Sequence, residues 1–138
     1  MRRIDPLVAA SLAVCVALAA CTSTLDPDAL DRAEHGLSAL AAESGLLVEQ
    51  FEQGDLTRTY ASVHCEKLLE RQRELAGDLD DPAPTTLDAR SDAAREAADR
   101  LGRTLRRLGD ALARGAPVAA LHDELRALQR ALPTAKST

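Results

Sequence analysis

Aromatic side chains are nearly missing from this chain: Phe51 and Tyr60 stand alone, and there is no tryptophan. Bases, sugar rings and flat cofactors rest on aromatic faces, so little surface exists to stack them. Methionine occurs only as Met1, which removes a Met-lined copper site, and lysine occurs only as Lys67 and Lys136. Positive charge is therefore carried by arginine; together with abundant alanine this is the bias of a GC-rich genome and has no functional reading. Histidines are confined to His35, His64 and His122, and cysteines to Cys15, Cys21 and Cys65. Their spacing contains no Cys-x-x-Cys, no His-x-x-x-His, no Glu-x-x-His and no haem attachment motif, and no glycine-rich phosphate loop occurs. The formal net charge of −5 argues against a phosphate backbone, so nucleic acid is excluded as a partner.

What is present begins with a basic start, Met1-Arg2-Arg3, and an apolar run of Leu, Val and Ala from Leu7 to Ala20. The run falls short of the ~20 residues a helix needs to cross a bilayer, and small residues and a polar segment follow it, which is the layout of an export signal. At the junction, Leu18-Ala19-Ala20-Cys21 resembles the lipobox of bacterial lipoproteins. That resemblance implies cleavage before Cys21, diacylation of the Cys21 thiol and acylation of the new amine. A membrane anchor of two or three chains is effectively permanent, since each buried methylene contributes ~0.8 kcal/mol. Thr22 follows the cysteine rather than Asp, which by the same resemblance places the protein on the periplasmic face of the outer membrane in a Gram-negative cell; in a Gram-positive cell the anchor lies on the outer face of the plasma membrane.

Residues 21–25 then read as a lipidated tether, and residues 26–132 as one all-α domain with a single core of Leu and Ala. Loss of Arg2, Arg3 and Asp5 with the signal makes this remainder one unit more negative. Cys15 leaves too and Cys21 is taken by lipid, so Cys65 has no partner for an internal disulfide and is expected to be buried.

Four helices are expected, at about 27–53, 56–79, 86–114 and 117–132. Asp26-Pro27-Asp28 is a helix start, and Leu30, Ala33, Leu37, Leu40, Ser44, Leu47 and Phe51 follow in steps of three and four. Gly54 supplies a left-handed end and Asp55 a cap for the second helix. That helix is the least regular: Leu56, Tyr60, Val63, Leu68, Leu75 and Leu79 are interrupted by His64, Lys67, Arg71 and Gln72. Prolines 82 and 84 break the chain, and Thr85 or Thr86 caps the third helix, whose stripe Leu87, Ser91, Ala94, Ala98, Leu101, Leu105, Leu108 and Leu112 is unbroken up to Gly115. Pro117 opens the fourth, with Val118, Leu121, Leu125, Leu128 and Leu132, and 133–138 is a disordered polar tail. Narrow seams and short reversals predict an up-and-down antiparallel bundle of four helices, with no strand. Heptad spacing leaves self-association through an uncovered seam open.

Candidate site residues are few. His64, on the inner edge of helix two beside Cys65, could bind a divalent metal with acids from another helix. On a helix, however, sequence neighbours point ~100° apart, so the two cannot act together as nucleophile and base. Arg58 and Tyr60 cluster with hydroxyls near the first turn and form a candidate binding surface. The reading that needs only these features is a non-catalytic, membrane-anchored interaction module whose partner is another envelope protein or a second copy. A metal or small-ligand binder using His64 and Cys65 is the alternative, an enzyme the third; no cofactor is expected.

Overall fold

The computed structural model describes residues 24–132; the expected export signal, Cys21 and the expected tail 133–138 lie outside them. Four α-helices make up the fold: α1 (Pro27–Glu52), α2 (Arg58–Asp78), α3 (Asp88–Arg114) and α4 (Ala119–Ala131). Among the described residues there is no strand.

Side-chain pairs set the direction of each helix. Glu43 of α1 meets both His64 and Arg71 of α2, Gln72 and Cys65 of α2 meet Ala98 and Leu105 of α3, and Thr104 and Arg107 of α3 meet Glu124 of α4. Each neighbour runs against the last. His122 near the start of α4 returns to Glu52 at the end of α1, closing an up-and-down bundle.

The helix boundaries have local causes. Asp26 accepts the Ala29 amide at 2.6 Å and Pro27 occupies the first turn, so α1 begins where expected. It ends on Gly54 at φ 79°, with the Gly54 and Asp55 amides bonded back to the Phe51 and Gln50 carbonyls. Because Asp55 belongs to that closure, it does not cap α2; Thr57 does, accepting the Tyr60 amide at 3.2 Å. Neither Thr85 nor Thr86 caps α3. The Leu87 amide instead closes a turn onto the Pro84 carbonyl, and α3 starts from Leu87 without a side-chain cap. After the left-handed Gly115, α4 starts from Val118 rather than at Pro117.

The expected stripes of α1, α3 and α4 face one core. Leu30, Leu37, Leu40, Leu101, Leu105 and Leu125 are wholly buried. Leu25 is buried as well, and its amide donates to the Pro82 carbonyl at 3.0 Å, so it belongs to the bundle and not to a free tether.

α2 departs from its expected register. It buries Ala61, Cys65, Leu68 and Gln72, whereas Tyr60 and Val63 point outward. The reason lies across the interface, where α3 presents Gly102 against Gln72 and Gly109 against Cys65. Missing Cβ atoms let the two backbones approach, and small or polar α2 residues then fill the space that larger ones would overfill.

α4 is half as long as α3 (13 against 27 residues). Beyond its end, Arg90 of α3 spans to Asp31 and Glu34 of α1, donating from Nε to Glu34 Oε1 at 2.9 Å and from Nη2 to both acids. Glu34 is 5% exposed, and these bonds hold the Arg90 guanidinium pKa above its ordinary value, Glu34 contributing most.

Candidate functional site

Two helix pairs carry side chains whose chemistry could act outside the fold. Along α1 and α2, the Glu43 carboxylate takes Arg71 Nη1 at 2.6 Å on one oxygen and lies 3.2 Å from His64 Nε2 on the other. The His64 ring stacks on Tyr60, with centroids 5.9 Å apart and planes 10° from parallel. Glu43, Tyr60 and His64 wall a shallow groove of about 210 Å³ shared with Leu46, Leu47, Gln50 and Leu56. Leu46, Tyr60 and Val63 are 52%, 56% and 49% exposed, and Val63 follows Tyr60 by one helical turn. They are the exposed large apolar side chains of the described residues, and all three belong to this pair of helices.

Cys65 is placed differently. It faces α3, 2% exposed, and its thiol donates to the Leu105 carbonyl at 3.4 Å. Burial, reinforced by the Glu66 charge, pushes its pKa from the ordinary 9.0 up to about 11, although a backbone hydrogen bond with Gly109 opposes the rise. Such a thiol stays protonated near neutral pH and is a poor nucleophile or metal ligand.

The structure therefore parts the residues singled out in the sequence. His64 turns to α1 and Cys65 to α3, and among the described residues no group of three or more His, Cys, Asp or Glu converges where a metal could sit. Arg58 leaves the groove too: its guanidinium covers Gly115, with Nη2 2.9 Å from where a Cβ would stand, at the negative end of the α3 dipole. Tyr60 alone of the two turn residues enters the α1/α2 groove. His35 is exposed, and His122 lies 3.4 Å from Glu52.

The buried polar side chains of the described residues are all bonded within the fold. Ser44 and Ser91 donate to the carbonyls of Leu40 and Asp88 in their own helix, Gln72 donates to the Ala98 carbonyl, Thr104 to the Arg100 carbonyl, and Glu34 accepts from Arg90. No helix among the described residues is long and apolar enough to cross a membrane.

Compared with known protein families, curated proteins and solved structures, the chain matches none. The site thus rests on its own geometry. Leu46 and Glu43 were missed in the sequence, though Leu46 had a signal: it is a leucine that falls off the three-four alternation occupied by Leu47.

Proposed function

We propose that the chain is a membrane-anchored envelope lipoprotein whose helical bundle docks another protein on the α1/α2 face. One observation carries the docking reading: Leu46, Tyr60 and Val63 are exposed together beside a Glu43–Arg71–His64 network. Apolar anchors framed by satisfied polar groups are the composition of a protein interface. The anchor rests on the Leu18–Cys21 motif, and the fold gives it a geometric consequence. Leu25 is pinned in the core, so the Cys21 attachment lies within about 14 Å of it even at full extension. Leu46 lies a further ~28 Å along α1, so the face stands clear of the bilayer surface for a bundle held upright.

Capture from the protein's own envelope, with intact lipidated chain as bait, tests the reading. A partner retained by wild type and by Arg73→Glu, but lost with Leu46→Asp and with Val63→Asp, supports docking on this face. Retention by all four proteins rejects it, and a partner that is a second copy of the chain replaces it with self-association. Mass measurement of the same bait tests the anchor separately: an unmodified Cys21, or an N-terminus elsewhere, removes the lipoprotein reading.

A further inference from the structure

We infer that the groove between α3 and α4 is a second binding surface, independent of the α1/α2 face, and that it takes an acidic segment of a protein partner. Arg100, Arg103 and Arg107 line it at successive turns of α3, with Thr104, Glu124 and Leu128 completing a groove of about 200 Å³. Spacings of three and four keep these guanidiniums on one stripe. Only Arg107 is paired, Nη1 lying 2.8 Å from each Glu124 oxygen; the guanidiniums of Arg100 and Arg103 have no hydrogen bond or ion pair among the described residues.

From Arg100 to Arg107 the chain has four arginines and no acid, within a sequence of net charge −5; Glu96 and Asp99 stand four residues before Arg100 and Arg103 without an ion pair to either. Like charges at these spacings cost a few tenths of a kcal/mol per pair in an isolated helix. Elsewhere in the bundle, Arg71, Arg90 and Arg95 are each matched by a carboxylate, while Arg73, Arg106 and Arg126 are not but do not share one groove.

Glu124 shows which ligand chemistry the groove accepts. Both oxygens of its carboxylate accept from Arg107 Nη1, and one lies 3.3 Å from the Thr104 hydroxyl, in a groove that Leu128 also lines. Arg103 and Arg100, one and two turns back along α3, offer further guanidiniums to carboxylates. A nucleic acid fits less well, because neither Phe51 nor Tyr60 lies in the groove to stack a base.

The test uses the full chain and a fluorescent glutamate-rich peptide, read by anisotropy at low salt. Arg100→Glu/Arg103→Glu should weaken binding by at least about tenfold, while the control Arg73→Glu/Arg126→Glu, with the same charge change at exposed sites on other faces, should change it by no more than about twofold. Helical circular dichroism of both variants confirms that they fold. Equal loss in both double variants, or no binding by wild type, overturns the inference. Binding of inorganic polyphosphate in preference to the peptide overturns it as well and assigns the groove to phosphate. Because Leu46, Tyr60 and Val63 are untouched, the result is independent of the α1/α2 reading.

Discussion

The side-chain amide of Gln72 occupies the space in which Gly102 would carry a Cβ, its Oε1 only 2.8 Å from that position. Gln72 is 4% exposed and its Nε2 is held by the Ala98 carbonyl at 2.8 Å, so the amide cannot swing aside without losing a buried hydrogen bond. Alanine in mid-helix is ordinarily favoured over glycine by up to ~1 kcal/mol. Gly102→Ala should nevertheless destabilise the bundle by about 1 kcal/mol or more, because the displaced amide costs more than the helix gains. Gly45→Ala, in mid-α1 with no atom near the added methyl, should stabilise it. Urea unfolding of the two variants side by side reads both signs.

Cys65 makes stability depend on alkaline pH. Its thiol holds the proton more tightly in the folded state, so its contribution is complete below pH 9.0 and is lost as pH rises toward about 11. The loss is on the order of 2 to 3 kcal/mol. Cys65→Ala should remove that part of the decline while other groups still titrate, which unfolding midpoints across the window will show. Thiol reagents should react with native protein far more slowly than with unfolded chain.

Arg90→Ala should destabilise by roughly 1 to 3 kcal/mol, a range discounted for the half-exposed guanidinium, because it strands the buried Glu34 carboxylate. Arg90→Ala/Glu34→Gln should recover part of the loss, since the uncompensated charge is gone. A double-mutant cycle on thermal unfolding gives the coupling.

Leu105→Asp should unfold the domain at room temperature. Leu105 is wholly buried, and an unpaired charge there costs several kcal/mol against a total stability of ~5 to 15. Val63→Asp, on the exposed side of α2, should shift stability by no more than about 1 kcal/mol. Far-UV circular dichroism distinguishes the two directly.

α1, α3 and α4 were legible because leucine recurs at helical spacing and each stripe meets a single core. Their buried leucines are the ones the alternation picks out, from Leu30 to Leu125. The start at Asp26-Pro27 and the reversals at Gly54 and Gly115 were legible for a backbone reason: capping and left-handed φ are properties of a few adjacent residues. α2 was not legible. Its inward side is chosen by what α3 offers, and Gly102 and Gly109 lie tens of residues away from the Gln72 and Cys65 they admit.

The chain alone thus determined four helices, their approximate ends, their antiparallel order and the all-α class, since periodicity and turn chemistry act over a few residues. Only the tertiary structure decided which residues face outward or pair across helices. Tyr60 and Val63 are apolar yet exposed, Cys65 and Gln72 are buried, His64 parts from Cys65, and Arg100 and Arg103 go unpaired while Arg90 is clasped. Those outcomes depend on interhelix distance, which no local pattern encodes.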